Sequence, residues 1–247
     1  MKITVITATR NNAATLDATI SSVLNQTHTD IDYIIIDGAS TDNSLSIIRR
    51  WQSLHPGRIR CISEPDTGVY NALNKGIRMA EGDIIGTLHG NDRFTSPDIL
   101  ARVADTFADP AIPYLYGDIH YVNPRTGKTG RRYSAARFTP RMLLDGIAPP
   151  HPTLYIRRSL LHEIGPYKED YLIAADFDLF IRLNLVHNIT GTYLPLDMVE
   201  MTTGGLSTRL YHRIFTNNRE KFRALRENSI KISPFSILKR YLYTLKS

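Results

Sequence analysis

Between Lys2 and Phe107, short β-rich runs take turns with amphipathic runs at helical spacing, and that alternation constrains the fold more than anything else in the chain. Lys2 to Thr9 is β-rich, Leu16, Ile20, Val23 and Leu24 recur at helical spacing, and Ile31 to Asp37 is an isoleucine-rich run. Thr41 or Asp42 caps a second helix carrying Leu45, Ile47, Ile48, Trp51 and Leu54, which His55-Pro56-Gly57 stops. A third strand covers Ile59 to Ser63, a helix passes through Leu73 and Ile77 to Gly82, and a fourth strand covers Asp83 to His89. Ser96-Pro97-Asp98 then opens a helix through Leu100, Val103 and Phe107, with proline at its first position. The expectation is an α/β fold with a mostly parallel sheet flanked by helices.

Beyond Phe107 the pattern loosens. Tyr114 to Val122 reads as a strand, Asn123-Pro124-Arg125-Thr126-Gly127 as a turn, and His151 to Ile156 as a strand. Arg158 to Ile164 reads as a short helix closed by Gly165-Pro166, and Ala175 to Leu185 as a helix with Phe177, Phe180, Ile181 and Leu185 on its apolar side. From Tyr211 the chain reads as helical, with a break at Ser233-Pro234. A length of 247 residues with 42% hydrophobic content fits one α/β domain with a small terminal extension. The single cysteine, Cys61, rules out an internal disulfide framework and suits a reducing compartment, so the cytoplasm is expected. The apolar N-terminal run is too short for a signal peptide, and no stretch approaches the roughly 20 apolar residues of a spanning helix.

Ligands of open α/β sheets bind at the carboxyl ends of the strands. Here those ends read Thr7-Ala8-Thr9-Arg10-Asn11, Asp37-Gly38-Ala39-Ser40-Thr41-Asp42, Glu64-Pro65-Asp66 and His89-Gly90-Asn91-Asp92. Any one cluster is ordinary turn chemistry, whereas four on one sheet edge point to a polar binding site. Glu64 to Gly76 continues that edge into a short polar helix, a place to hold a diphosphate and its metal.

These clusters, together with Ala174-Ala175-Asp176-Phe177-Asp178-Leu179, resemble the successive motifs of glycosyltransferase family 2, in the family's order from residue 1 to about Gly205. The resemblance implies a GT-A fold and transfer of a sugar from a nucleoside diphosphate donor with inversion at the anomeric carbon. It implies a catalytic domain over residues 1–205, with a donor half (1–110) and an acceptor half (111–205), followed by a basic helical extension (206–247). Thr7, Thr9, Asn11, Asp37, Asp66, Asn74, Lys75 and Asn91 become donor-binding residues, and Asp92 the ligand of a divalent metal, Mn2+ or Mg2+, that offsets the charge of the leaving diphosphate. Asp176 becomes the general base, with Asp178 its rival two positions on. Gly204-Gly205-Leu206-Ser207 resembles a loop that closes over the diphosphate.

The chain departs from the family at three positions. Asn91 replaces an acidic residue beside Asp92, Gly38 replaces the second of two aspartates that contact the base, and Ala175 replaces a glutamate before the catalytic aspartate. Asp37 and Asp66 are left to read base and ribose, with uridine favoured. His151, held between Pro150 and Pro152, is a second candidate for the acceptor side or the metal.

The net charge of +6 is concentrated in the tail, where ten basic residues from Arg209 to Lys246 face only Glu220 and Glu227. Phe235, Ile237, Leu238, Tyr241, Leu242 and Leu245 alternate with Lys239, Arg240 and Lys246, a pattern that suits peripheral attachment to an anionic membrane surface. Packing on the catalytic domain, or on a second subunit of a homo-oligomer, stays open. A dinucleotide-dependent oxidoreductase is excluded by the lack of glycine after strand one, and no P-loop is present. A nucleic-acid-binding protein fits poorly, because acidic residues line the strand ends. The expected function is therefore transfer of a sugar to a hydroxyl of a saccharide or lipid-linked acceptor in polysaccharide or lipooligosaccharide synthesis. The alternative is a catalytically silent nucleotide-sugar binder.

Overall fold

The computed structural model describes residues 1–123, 126–202 and 210–231. The opening alternation forms β1 (Ile3–Thr9), α1 (Leu16–Leu24), β2 (Ile31–Asp37), α2 (Ser44–Leu54), β3 (Ile59–Ser63), α3 (Val69–Met79) and β4 (Ile84–Thr87). The chain continues through β5 (Asp92–Phe94), α4 (Ile99–Phe107), β6 (Tyr114–Val122), β7 (Thr129–Tyr133), β8 (Tyr155–Arg157), α5 (Arg158–Ile164), α6 (Ala175–Ile181), β9 (Thr192–Thr202) and α7 (Leu210–Glu227). The strands join in the order β3-β2-β1-β4-β8-β6-β9-β5, with β7 on the side of β6. β3, β2, β1 and β4 are mutually parallel, as are β6 and β9, while β8 and β5 run against their neighbours.

Alternation along the strands divides the core between the two sheet faces. Val5, Tyr33 and Ile35 pack with Leu16, Ile20 and Val23 of α1, Ile48 of α2 and Leu100, Val103 and Phe107 of α4. Ile6, Ala8, Ile34 and Ile36 pack on the other face with Tyr70, Leu73 and Ile77 of α3, Leu160 and Leu161 of α5, and Phe177 and Phe180 of α6. Gly76 lets α3 lie close on β1, since a Cβ there would stand 2.4 Å from the Ile6 side chain.

The second half differs from expectation in detail. His151–Thr153 is a 3-10 turn, and the strand begins only at Tyr155. Pro150 and Pro152 have no N–H for a ladder, and the Thr153 hydroxyl donates back to the Pro150 carbonyl at 2.8 Å. The expected helix over Ala175–Leu185 switches at Arg182 to a wider π turn, Arg182–Val186. α2 starts at Ser44, whose N–H donates to Asp42 Oδ1 at 2.9 Å, and α4 starts at Ile99, two residues past Pro97. Helix α7, read from sequence as part of an extension, packs on α6 and contributes Ala224 and Leu225, both fully buried, to the same core as α3 and α6. The glycine loop at 204–207, the break at Ser233-Pro234 and the apolar-basic tail lie outside the described residues.

Candidate active site

The loops after β1 and β2 are stitched together by side chains from both. The Asn11 N–H donates to Ser40 Oγ at 2.8 Å, Thr41 N–H donates to Asn11 Oδ1 at 2.8 Å, and Ala13 N–H donates to Asp42 Oδ2 at 2.9 Å. Asn11 and Ala39 both hold left-handed backbone (φ 55° and 53°), a conformation that costs a non-glycine residue free energy and persists only where surrounding bonds enforce it. Asp37 is fully buried and serves this frame, accepting bonds from Ser40 N–H at 3.1 Å, the Ser40 hydroxyl, and the Ser63 hydroxyl at 2.7 Å.

Gly38 explains one departure from the family pattern. A Cβ at this position would lie 2.2 Å from Asp66 Oδ2, so the Asp66 carboxylate stands where a second aspartate would begin. Asp66 Oδ1 also accepts the Gly68 N–H at 3.1 Å, which sets the entry to α3.

Three residues expected to touch the donor are engaged elsewhere. Thr7 is fully buried on the α1 side of the sheet, its hydroxyl 3.2 Å from the Tyr33 hydroxyl. Asn74 is buried and saturated, donating to Tyr167 O and Glu169 Oε1, both at 2.8 Å, and accepting Tyr167 N–H at 3.1 Å. Lys75 donates to Pro65 O at 2.9 Å and pairs with Glu64 at 2.8 Å, so its charge closes the turn that precedes its own helix. With Asn71 donating to Glu169 Oε2 at 2.6 Å, α3 ties down the loop before α6.

That loop delivers Asp176. The Tyr70 hydroxyl lies 3.1 Å from Asp176 Oδ1, and Asp176 is a partly exposed residue. Burial raises the Asp176 pKa, opposed first by the charge of Lys221 on α7, then by the Phe177 N–H and the Tyr70 hydroxyl. Asp178 is a different group altogether: fully buried, it accepts from Lys168 at 2.9 Å, Arg182 Nε at 2.8 Å and Asn228 at 2.8 Å. Arg182 also donates to the carbonyls of Ile164, Gly165 and Pro166, so this ion pair anchors α6 to the turn after α5.

His89 faces Asp176 and has His151 beside it. His89 lies in the turn after β4, His151 precedes β8, and their rings lie 5.7 Å apart. Burial pushes both down to about 4, helped at His89 by its neighbour, so both are neutral near pH 7. His151 Nε2 is 2.8 Å from the Tyr167 hydroxyl, which commits that nitrogen to a hydrogen bond and leaves Nδ1 as the ring's remaining donor atom.

Asp92 is buried on the sheet face that holds Phe94, in register with Met201 and Tyr121, rather than beside Asp176. Neither carboxylate oxygen has a hydrogen bond of full geometry, and burial pushes its pKa up to about 7, opposed only weakly by the Thr202 backbone N–H. A carboxylate left so needs a proton or a cation. Thus Asp92 has the chemistry of one metal ligand, although among the described residues no three His, Cys, Asp or Glu side chains gather into a metal cluster. Asn91, partly exposed, lies at the turn from β4 to β5, its carbonyl accepting the Thr202 hydroxyl at 2.6 Å.

Sequence reasoning missed Tyr70, His89 and Lys221 as neighbours of Asp176. Tyr70 lay inside the motif that was singled out, and Lys221 beside one of the tail's two acidic residues, but neither position has a spacing that announces it.

A sheet of this topology, with polar loops along the carboxyl edge of its parallel strands and a carboxylate brought to them from the second half, is the architecture of GT-A sugar transferases. The sequence profile of Glycosyl transferase family 2 matches residues 4–165, and the chain belongs to that family and is a glycosyltransferase. It is 33% identical over 187 residues (74% of this chain, 69% of the relative) to the uncharacterized glycosyltransferase Rv1514c of Mycobacterium tuberculosis. It is 30% identical over 213 residues (85% and 81%) to a PGL/p-HBAD biosynthesis glycosyltransferase of Mycobacterium bovis. Its fold is similar to that of S. aureus TarS 1-349 in complex with UDP-GlcNAc, with a TM-score of 0.74 at 18% identity, covering 98% of this chain and 72% of that one. It is also similar to the mannosyltransferase PcManGT of Pyrobaculum calidifontis in complex with GDP-Man and Mn2+, with a TM-score of 0.65 at 20% identity, covering 98% and 69%. No helix among the described residues is long and apolar enough to cross a membrane.

Proposed function

We propose that this enzyme inverts the anomeric carbon in a single displacement, taking its sugar from a nucleoside diphosphate donor, with Asp176 as the general base. The observation that carries this reading is the contrast between the two carboxylates of α6. Asp176 is only partly buried as a residue and has one charge-favouring hydroxyl, while Asp178 is fully buried and consumed by ion pairs with Lys168 and Arg182. Asp176 takes the proton of an acceptor hydroxyl, that oxygen forms the new bond to the anomeric carbon, and the bond to the diphosphate breaks with its electron pair going to the phosphate oxygen. A base with a raised pKa suits this task, because its proton affinity lies closer to neutrality.

The donor lies against the frame built by Thr9, Asn11, Asp37 and Asp66, with Asn91 beside the diphosphate. TarS and PcManGT carry different bases, and we favour uridine here. Asp92 is the residue that would hold a divalent cation, Mn2+ or Mg2+, which supplies positive charge to the departing diphosphate. Because protein covers both Asp92 oxygens, cation binding entails uncovering them. The acceptor is a saccharide or lipid-linked hydroxyl, and the tail beyond Asn228 attaches the enzyme to an anionic membrane surface.

The test is a thermal-shift screen of nucleoside diphosphate sugars with and without Mn2+, followed by product analysis of the stabilising donor. A ligand at 100 times its Kd stabilises the native state by about 2.7 kcal/mol. The reading predicts stabilisation by one base class and a product of inverted configuration; a retained configuration overturns the single displacement. Truncation after Asn228 is expected to reduce binding to vesicles containing phosphatidylglycerol, and unchanged binding removes the membrane role.

A further inference from the structure

Helix α7 meets the segment that carries Asp176 through two adjacent residues of opposite charge. Glu220 accepts three consecutive backbone N–H groups, from Leu172 at 2.8 Å, Ile173 at 2.9 Å and Ala174 at 3.0 Å. Ala174 immediately precedes α6, and Asp176 lies in that helix's first turn. Bonds from amides to an ionised carboxylate are stronger than neutral ones, so this grip sets where the segment sits.

Lys221 lies on the other side of the same turn. Its Nζ donates to Gly146 O at 2.6 Å and stands 4.8 Å from the centre of the Phe177 ring. Farther along α7, Arg223 covers the Tyr171 ring at 4.3 Å, and Glu227 accepts the Tyr171 hydroxyl at 2.8 Å and pairs with Lys168 at 3.2 Å. The whole loop from Lys168 to Ala174 is therefore held by α7 on one side and by Asn71 and Asn74 of α3 on the other.

We propose that α7 belongs to the catalytic apparatus: Glu220 fixes the loop that delivers Asp176, and Lys221 is the positive charge facing its carboxylate. Both are positioning residues, and their role rests on Asp176 being the base. Among the described residues, the groups that face Asp176 are Tyr70 from α3, Tyr167 from the preceding loop, His89 from the turn after β4 and Lys221 from α7. Of these only Lys221 carries a positive charge near pH 7, because the tyrosines are neutral and burial holds His89 at about 4. Removing that charge makes the base harder to deprotonate, so activity is lost at a higher pH on acidification.

The experiment compares the full-length enzyme with Lys221→Gln, Lys221→Arg and Glu220→Gln. Lys221→Gln retains an N–H donor for the Gly146 carbonyl and removes only the charge. The Asp176 carboxyl carbon, assigned by its loss in Asp176→Asn, is titrated by carbon-13 NMR. Its midpoint is expected to rise by about one pH unit in Lys221→Gln, which is about tenfold less ionised base on the acid side, and to return in Lys221→Arg. In Glu220→Gln, exchange of the Leu172, Ile173 and Ala174 amides is expected to accelerate about tenfold, and turnover to fall with donor KM unchanged. An unchanged Asp176 midpoint in Lys221→Gln, or unchanged protection of the three amides in Glu220→Gln, overturns the proposal. If Asp176→Asn still transfers sugar, the base assignment fails instead, and the titration identifies which of the two was wrong.

Discussion

The Tyr70 hydroxyl shares its one proton between the Ile173 carbonyl at 2.5 Å and Asp176 Oδ1 at 3.1 Å, the second contact joining residues 106 positions apart. Through this contact the polar helix that follows the acidic turn meets the carboxylate proposed as the base. Tyr70→Phe keeps the ring and removes the bond that favours the charged base. A hydrogen bond to a charged group contributes about 1.5–3 kcal/mol at most, and this one is shared with the Ile173 carbonyl, so kcat is expected to fall by up to about tenfold. Steady-state kinetics against pH check this; the acid limb of kcat moves to higher pH, and donor KM holds.

Asp176→Asn and Asp178→Asn are expected to fail in different ways. Because burial raises the Asp176 pKa, its charge lowers stability as pH rises through that value, and the neutral amide leaves stability equal or higher at pH 8 while transfer is lost. Asp178→Asn strips the partner from the buried Arg182, and breaking such a pair costs about 3–5 kcal/mol. Urea unfolding alongside initial rates separates the two, and a stable Asp178→Asn enzyme without activity reverses the assignment.

Gly38→Ala tests the Asp66 assignment. Its Cβ would lie 2.2 Å from Asp66 Oδ2, and the side chain can swing away, so the fold survives at a cost of about 1 kcal/mol. Displaced Asp66 no longer reads the donor, and donor KM is expected to rise about tenfold with little change in kcat. Isothermal titration with the stabilising nucleotide checks the affinity, which stays constant if Asp66 makes no contact.

Asp92→Asn tests the metal assignment without turnover. With a folded pKa raised to about 7 from 3.8, Asp92 favours the native state most below its unfolded value, and that contribution is lost as pH rises through about 7. The charged form is disfavoured by an amount on the order of 4 kcal/mol at most. Metal-free Asp92→Asn is therefore expected to melt higher than the unsubstituted enzyme at pH 8 and about equally at pH 4. It is also expected to lose any rise in Tm on adding Mn2+; a rise that survives the substitution places the cation elsewhere.

Much of the donor side was legible because it is local. Strand-ending clusters, turn residues and helical spacing act within a few positions, so the sheet edge at Asn11, Asp37, Asp66 and Asn91 could be read in order along the chain. Local reading failed where partners come from far away. Thr7 stands in a motif yet points to Tyr33, because strand alternation sends residues 5 and 7 to the same face. Asn74 and Lys75 read as polar donor ligands, but the loop from Tyr167 to Glu169 and the turn at Glu64 claim them. The edge strand β5 pairs with β9, which pairs in turn with β6, and no periodic signal had marked β5 or β9.

Sequence alone determined that this chain is an α/β sugar transferase, and it offered Asp176 as the candidate base. It also showed Glu220 and Glu227 as the two acids of a basic tail, without saying what they hold. Tertiary structure decided which polar groups are accessible and which are spent. It set Asp178 in a buried ion pair, left the Asp92 oxygens buried without a bond of full geometry, and turned the first part of the tail into a clamp on the loop before Asp176. The reason is physical: charge and hydrogen-bonding capacity belong to a residue type, but solvation and partners are fixed only when distant segments come together.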